Sequence, residues 1–471
     1  MGPLQATTLS GHTTLLPENV LEALSRRMHG SLIRSDDAGY DEARHIYNGM
    51  IDKHPAMIAR CSSVDDVVAA VTFASENGLL VAVKGGGHNG PGLALCEGGL
   101  VIDLSALNGV EVDPQRRTAT VQGGATWGIV DRATHPFGLA TVSGIISTTG
   151  VGGLTLGGGH GYLAPKYGLT VDNLLEAEVV LADGRTVRAG ASDNRDLFWA
   201  LRGGGGNFGV VTSFTFKLHP VHTIVGGPTL WPLEQAPEIM RWYREFIEDA
   251  PKELYGFFAF LEVPAGPPFP EELHGRKMCG IVWCYSGPTE NADAAFSPVR
   301  DRKPTLFGVH AMPYPTLQSA FDPLYPPGLQ WYWKGDFVRE LSDEAIAAHM
   351  AHAEVPTMRS TMHLYPINGA VHDVGADETA WGYRDATWSM VIAGVADSAA
   401  DNDRVTTWAR DYWNALHPYS AGGAYLNFMM EEGQDRIKAT YRENYDRLTA
   451  LKAKFDPTNL FRVNQNIPPA V

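Results

Sequence analysis

The chain has 471 residues, and its 51 glycines and 30 prolines make up about 17% of it, below the roughly 25–30% typical of low-complexity disorder. Its length exceeds the roughly 250–300 residues at which a single hydrophobic core stops growing, so we expect a folded protein in two parts. The formal net charge of −16 would repel a phosphate backbone, which argues against a nucleic-acid partner.

The first residues and the cysteines indicate the compartment. Residues 1–16 have neither the basic nor the apolar region of a signal peptide, and no run of about 18 apolar residues occurs. We therefore expect a soluble, cytoplasmic protein without membrane contact, as a monomer or homodimer. Cys279 and Cys284 could bridge, but with Cys61 and Cys96 they form no Cys-x-x-Cys pair, so we expect buried free thiols and no bound metal.

The first elements of the chain predict a mixed α+β fold. Ser62 or Ser63 can cap a helix whose valines recur at helical spacing until Gly78 ends it. The short apolar runs 79–83 and 100–104 are typical of buried strands, and the alternating segments 110–112 and 118–122 of half-buried strands.

The composition changes near residues 218–226. Of the 51 glycines 34 precede residue 210, whereas 9 of the 11 tryptophans follow it, so we place a domain boundary there. Aromatic and proline-rich segments then alternate with predicted helices at 237–247 and 342–350. In the tail, apolar residues from Ile437 to Leu451 predict one amphipathic helix that stops at Asp456-Pro457.

The first glycine cluster, Lys84 to Gly90, follows a predicted strand and formally satisfies the dinucleotide-binding pattern G-x-G-x-x-G. That fingerprint requires a helix to open at its third glycine, whereas here Pro91 and Gly92 continue the chain as a loop. A Rossmann fold is therefore excluded. The cluster still offers unhindered backbone N–H groups, which suit a pyrophosphate.

Two more glycine clusters follow, one over residues 148–161 and one over residues 203–209. One such cluster is most simply a tight turn, but three together favour loops that hold a long, flat, phosphate-bearing ligand against the backbone.

Motifs spread along almost the whole chain carry a family resemblance. They are Tyr40, Ala43-Arg44, Tyr47-Asn48-Gly49, the run 83–89, Ser147-Thr148-Thr149-Gly150, the run 154–159, Gly168-Leu169-Thr170 with Asp172-Asn173, the run 202–211, Tyr425-Leu426-Asn427 and the run 455–466. Their combination resembles the bacterial berberine bridge enzyme-like FAD-linked oxidases of the vanillyl-alcohol-oxidase, or PCMH-type FAD-binding, superfamily.

The resemblance implies an α+β fold in which a two-part PCMH-type FAD-binding domain (1–220) precedes a substrate domain with an antiparallel sheet flanked by helices (221–424). A C-terminal segment (425–471) returns to the FAD domain. The FAD-binding residues it implies are Lys84, Gly85, Gly86, Gly87, His88, Asn89, Thr148, Thr149, Gly150, Gly153, Gly158, His160, Gly161, Asn207, Gly209, Val211, Asn464 and Asn466.

The resemblance also implies how the flavin is attached. The family's histidine at the position of His88 is bonded to the flavin 8α-methyl group, and we carry that role over. Relatives with a second flavin bond carry a cysteine where this chain has Ile146, so we predict a monocovalent flavin. Thr149 matches the position that controls access of oxygen to the flavin.

Flavin chemistry supplies the electron sink, so the protein must position a substrate C–H and remove a proton from the adjacent O–H or N–H. Strand alternation over residues 425–427 would point Tyr425 and Asn427 to one face, and we predict that Tyr425 accepts the proton or orients the substrate. Tyr383 is our further catalytic candidate. Reserve candidates are Tyr365, His363, His310 and Lys334.

The aromatic second half favours a small aromatic, heterocyclic or secondary-metabolite substrate. We therefore predict an oxidase that removes a hydride from a C–OH or C–N centre and passes the electrons to O2, which gives hydrogen peroxide. The alternatives are a carbohydrate hydroxyl oxidase, a flavin dehydrogenase with another acceptor, and a flavin-bearing binding protein without turnover.

Overall fold

The computed structural model describes residues 3–470. Its strands, numbered β1 to β21 in chain order, are Leu4–Thr7, Thr13–Leu16, Ser31–Arg34, Met57–Arg60, Val81–Lys84, Leu100–Asp103, Val110–Asp113, Thr118–Gln122, Leu139–Ala140, Leu174–Val180, Thr186–Gly190, Val210–Lys217, His219–Pro220, Thr223–Pro232, Leu254–Glu262, Lys277–Tyr285, Leu306–Phe307, His310–Pro313, Gln330–Val338, Thr361–Pro366 and Trp388–Ala396. The α-helices, α1 to α14, are Glu18–Arg27, Tyr40–Arg44, Val64–Glu76, Trp127–Thr134, Val151–Leu156, Ala164–Tyr167, Arg195–Leu201, Ala236–Glu248, Ala292–Arg300, Tyr314–Gln318, Asp343–Ala351, Asn402–Leu416, Gln434–Tyr441 and Tyr445–Phe455.

A four-stranded sheet, in the order β3-β4-β6-β5, carries the first glycine cluster at its edge. The predicted helix is confirmed as α3, and Ser63 and Asp66 form a reciprocal capping box at its start. The strand predicted at 79–83 lies two residues later, at β5. Residues 85–99 then run without a helix, which confirms that this is not a Rossmann turn.

A five-stranded sheet, β11-β10-β12-β8-β7, forms the second layer of the first half and includes the predicted strands at 110–112 and 118–122. Its core contains Trp127 and Phe214 together with Leu448 and Leu451 from the tail. The prediction of one tail helix is wrong. The structure has α13 and α14, separated at Arg442, whose φ of 52° lies in the left-handed region and interrupts the helix.

Residues 223–396 form an eight-stranded sheet whose pairings are all antiparallel, in the order β17-β14-β16-β15-β20-β21-β19 with β18 beside β14. The helices predicted at 237–247 and 342–350 are confirmed as α8 and α11. Helices α8 and α11 pack with α12 on one face of the sheet. The opposite face lines a cavity. The α+β class is thus confirmed.

Two further predictions concern the state of the cysteines and the presence of membrane-spanning segments. The four cysteines are free and buried, as expected. Across residues 3–470 no helix is both long and apolar enough to cross a bilayer.

A buried ion pair joins the two halves of the molecule. Two guanidinium nitrogens of Arg384 donate to the two carboxylate oxygens of Asp172, each at 2.7 Å, and the two side chains are only 4% and 8% exposed. The same guanidinium donates to the Thr379 hydroxyl and the Val371 carbonyl. Such fork-to-fork geometry fixes the relative placement of the two backbones.

We expect Arg384→Met to lower the free energy of unfolding by about 3–5 kcal/mol, because it leaves the Asp172 carboxylate buried without its cation. Arg339→Met is the matched control, since Arg339 pairs with Asp385 at an exposed site and should cost at most about 1 kcal/mol. Thermal and urea unfolding of both variants measure the difference. Equal destabilisation by the two substitutions would contradict this assignment.

Candidate active site

A cavity of about 350 Å³ lies between the glycine clusters and the free face of the eight-stranded sheet. Segments from both chain halves and from the tail line it. They are residues 85–89, 144–146, 149–150, 152–154, 156–157, 205–206, 209–211, 425–428 and 463–465, with strand residues from β5, β19, β20 and β21. The lining, which belongs entirely to the described residues, includes no Asp, Glu, Lys or Arg.

The glycines let the backbone come close to whatever occupies the cavity. A Cβ on Gly86 would lie 2.5 Å from the backbone of Gly150, so the first two clusters touch and no side chain fits there. A Cβ on Gly153 would meet nothing within 4 Å, so that glycine leaves open space on the cavity side. The prediction that the second cluster is entirely loop is wrong, because α5 begins at Val151.

These features fit FAD. Close backbone approach and unhindered N–H groups suit a pyrophosphate. Because the lining has no charged side chain, backbone N–H groups would have to bind the phosphate groups. Asn464 lines the cavity, and its buried Oδ1 has no hydrogen-bond partner within the described part of the chain. An acceptor left unpartnered in this way is expected where a ligand donor completes the bond.

Most of the predicted site residues meet at this cavity. Those that line it are Gly85, Gly86, Gly87, His88, Asn89, Thr149, Gly150, Gly153, His160, Gly209, Val211, Asn464, Tyr425 and Asn427. Those that do not are Lys84, Thr148, Gly158, Gly161, Asn207, Asn466 and Tyr383.

Lys84 and Asn207, which lie outside the lining, have structural partners. Lys84 donates to the Ala43 carbonyl at 2.7 Å and lies 3.6 Å from the Asp103 carboxylate, so its charge faces away from the cavity. Asn207 donates to the Gln465 carbonyl and accepts from the Ile467 N–H, which ties the third cluster to the tail. The contact of Lys84 and Asn207 with the cofactor stays a prediction, since neither side chain lines the cavity.

The ring of His88 is held as a neutral imidazole. It stacks on Tyr47 with ring centroids 3.8 Å apart, and its Nδ1 lies 3.5 Å from the Thr149 hydroxyl. Burial lowers the pKa of His88 to about 3, although a hydrogen bond to the Thr148 backbone opposes the shift. A neutral ring keeps a nitrogen lone pair available for bond formation at physiological pH.

The phenol of Tyr425 is surrounded by donors. Its oxygen accepts from the Gly159 N–H at 3.0 Å and from the Asn427 amide at 2.8 Å. The predicted strand over 425–427 is wrong, because residues 426–428 form a 3₁₀ turn, and it is this turn that brings Asn427 back onto Tyr425. Burial raises the pKa of Tyr425 to about 12, so it is a phenol whose own proton is free to donate into the cavity.

One of the two ring nitrogens of His160 is hydrogen-bonded within the protein. Its Nε2–H donates to the Pro366 carbonyl at 2.9 Å, which fixes the tautomer and leaves Nδ1 as the acceptor nitrogen of the ring. Burial lowers the pKa of His160 to about 4, so the ring is neutral. From the sequence, His160 is predicted only as a cofactor-binding residue.

The further catalytic candidate and the reserve candidates separate into two groups. Tyr383 lies outside the cavity lining, where its hydroxyl donates to the Ala439 carbonyl at 3.0 Å and its ring stacks on Phe337. Lys334 pairs with Glu432 at 2.9 Å, and His310 is exposed and lies outside the lining. His363 and Tyr365 do line the cavity.

The sequence predicted that a few aromatic residues of the second half line the site, but it did not specify which ones. Tyr47, Trp331 and Trp333 line the cavity, and Tyr47 stacks on the ring of His88. The Tyr47-Asn48-Gly49 motif was a usable signal for Tyr47. For the tryptophans, only alternation along β19 pointed to a shared face, and alternation alone does not say which face meets the cavity.

The comparisons with known proteins agree with this geometry. Residues 55–190 match the family described as FAD binding domain, and residues 424–468 match the family described as berberine and berberine like. An FAD-linked oxidoreductase of Dictyostelium discoideum is 32% identical over 88% of this chain and 89% of its own. The xylooligosaccharide oxidase of Thermothelomyces thermophilus is 30% identical over 90% of this chain and 89% of its own.

Among solved structures, 6-hydroxy-D-nicotine oxidase from Arthrobacter nicotinovorans matches with a TM-score of 0.83 and 26% identity, over 94% of this chain and 98% of that one. Fold and site thus define a flavoprotein oxidoreductase with a PCMH-type architecture. The chain belongs to the berberine bridge enzyme-like family of FAD-linked oxidoreductases, as the sequence motifs indicated.

Proposed function

We propose that the protein is an oxidase for small, neutral aromatic or heterocyclic molecules, and that it removes a hydride from a C–OH or C–N centre. The uncharged, aromatic cavity carries this proposal. A charged substrate would bury its charge there without a counter-ion, which is costly. The similarity to the solved structure of a nicotine oxidase, an enzyme named for a heterocyclic substrate, supports the heterocyclic class.

FAD bound against the glycine clusters would take up the hydride, held by the backbone of residues 85–89 and 149–153 and by Asn464. We propose that His88 forms the only covalent bond to it, because Ile146 offers no thiol. O2 is the proposed electron acceptor, with hydrogen peroxide as product. The two electrons and two protons that leave the substrate then balance those gained by O2.

Two side chains act on the substrate's O–H or N–H group, one as a hydrogen-bond donor and one as a proton acceptor. The Tyr425 phenol donates a hydrogen bond to the substrate heteroatom and orients it, since the donors from Gly159 and Asn427 occupy its acceptor positions. His160 Nδ1 accepts the proton that leaves that heteroatom, and the bond to Pro366 keeps the ring in the correct tautomer.

Anaerobic flavin bleaching tests the proposal. Aromatic alcohols, cyclic amines, their carboxylated analogues and oligosaccharides would each be mixed with the holoenzyme. We expect bleaching by neutral ring compounds and stoichiometric peroxide on admission of air. Bleaching by oligosaccharides alone would indicate a sugar oxidase, bleaching without peroxide a dehydrogenase, and no bleaching a binding protein, and each of these results would overturn part of the proposal.

We expect Tyr425→Phe to lower kcat/KM by about tenfold or more, because it removes the orienting donor and leaves the Asn427 amide facing carbon. Tyr383→Phe is the matched control, since it removes a buried phenol oxygen outside the cavity. Steady-state kinetics with the substrate found by the screen measure both. Parallel losses in the two variants would assign Tyr425 a merely structural role.

The remaining proposals concern the domain division, the cellular compartment and the oligomeric state. We propose the domain division 1–220, 221–424 and 425–471, which is supported by the separate sheets before and after residue 220 and by the packing of the tail on the first core. We also propose a cytoplasmic monomer or homodimer.

A further inference from the structure

The last residue of the first glycine cluster, Gly90, packs against the aromatic wall of the cavity. A Cβ on Gly90 would lie 2.4 Å from two carbons of the Trp333 indole and 2.7 Å from its Nε1. Trp333 lines the cavity and Gly90 does not. The missing side chain of Gly90 therefore provides the room in which part of the indole sits.

Asn48 holds the backbone on both sides of this contact. Its Nδ2 donates to the Gly90 carbonyl at 2.7 Å and to the Trp331 carbonyl at 3.0 Å, and its Oδ1 accepts from the Trp331 N–H at 3.0 Å. Two backbone hydrogen bonds join the neighbouring segments 47–49 and 328–329. Because Asn48 is buried and its hydrogen bonds are costly to lose, Gly90 and β19 are held at a fixed distance.

The indole of Trp333 has no comparable anchor. Its Nε1 has no hydrogen-bond partner among residues 3–470. The ring of Trp331 stands edge-on beside it, with ring centroids 5.7 Å apart and ring planes at 71°. With Trp331 on one side and the Gly90 backbone on another, the cavity is the free volume into which the indole can turn.

The obstacle to a side chain differs between Gly90 and its neighbour Gly86. A Cβ on Gly86 would meet the backbone of Gly150, which cannot give way, whereas a Cβ on Gly90 would meet only the indole. The φ angle of Gly90 lies outside the left-handed region, so alanine fits the backbone at that position. A methyl group there is therefore accommodated by movement of the Trp333 ring.

We propose that Gly90 determines the size of the ring system that the substrate site accepts, because any side chain at this position turns the Trp333 indole into the cavity and restricts the site to smaller rings. The inference rests on the proposed function, since it concerns the substrate range of the same site. It gives a role to Gly90, the glycine of the first cluster that does not line the cavity.

Calorimetric titration of the holoenzyme with two neutral aromatic alcohols tests the proposal. Benzyl alcohol carries one ring, and 2-naphthylmethanol carries two fused rings on the same CH2OH group. We expect Gly90→Ala to weaken binding of the two-ring alcohol by at least about tenfold and that of the one-ring alcohol by less than about twofold, because the displaced indole takes the volume of the second ring. Gly190→Ala is the control and should change neither affinity, since its Cβ would meet only ordinary contacts of 3.4 Å or more, outside the cavity.

The double variant Gly90→Ala/Trp333→Phe is the second arm and also serves if Gly90→Ala does not fold. Its smaller ring leaves room for the methyl group, so binding of the two-ring alcohol should return to within about twofold of the wild type. A crystal structure of Gly90→Ala, which depends on no probe, should show the indole turned into the cavity.

Three results would overturn the proposal: equal weakening of both alcohols in Gly90→Ala, a double variant that does not fold or still excludes the two-ring alcohol, or an indole that has not moved in the crystal structure. A wild type that binds neither alcohol would contradict the proposed substrate class, while the crystal structure still decides the role of Gly90. Because calorimetry reads binding without turnover, the expected size selection without any flavin bleaching would overturn only the proposed oxidase function.

Discussion

In a His88→Ala variant the yellow colour is expected to stay in the supernatant after acid precipitation, whereas in the wild type it should stay with the pellet. The reason is that the covalent bond is assigned to His88, whose ring lies in the first glycine cluster and lines the cavity. Its ring is neutral, because burial lowers its pKa to about 3, and the stack on Tyr47 fixes its plane. Ile146 cannot substitute for it, since an aliphatic side chain forms no bond to the flavin.

Absorbance of the pellet and mass spectrometry of the intact chain measure the covalent attachment. The matched control is His349→Ala, which removes another buried neutral imidazole, one that is hydrogen-bonded to Tyr412 and lies far from the lining. The control should keep its colour in the pellet. A His88→Ala chain that still carried the mass of the flavin would show that attachment occurs elsewhere.

The second large effect is expected at His160. His160→Gln keeps an N–H that can reach the Pro366 carbonyl but replaces the basic Nδ1 with an amide, so we expect kcat to fall by about 10²–10⁴. Flavin content should not change, because the covalent bond is assigned to His88. His349→Gln is again the control and should keep its kcat. A kcat within about twofold of wild type in His160→Gln would remove it as the proton acceptor.

The pH profile gives an independent check on His160. A histidine whose pKa is lowered to about 4 is an unprotonated acceptor at all higher pH values, and its contribution is lost as the pH falls through about 4. Tyr425, with its pKa raised to about 12, remains a donor until strongly alkaline pH. The profile of kcat/KM should therefore be flat across the neutral range. A fall centred near pH 6.5 would indicate a histidine with an ordinary pKa.

Local motifs predicted the cofactor side of the site better than the substrate side. The glycines and His88 form short, contiguous segments whose backbone requirements can be read from the sequence. His363 and the aromatic wall meet the cavity only through the register of β20, β21 and β19, and sequence periodicity does not specify that register. Tyr383 lies outside the lining, where its ring stacks on Phe337 and the next residue, Arg384, pairs with Asp172, and local sequence specifies neither contact.

The packing of the tail on the first core affects the order in which the two halves fold during synthesis. The core beneath the five-stranded sheet includes Leu448, Leu451 and Ile467, which leave the ribosome after the eight-stranded sheet. The eight-stranded sheet of residues 223–396 can assemble earlier, since its strands are complete while the tail is still being synthesised. The half that holds the glycine clusters therefore closes after the eight-stranded sheet, and flavin capture has to follow synthesis of the tail.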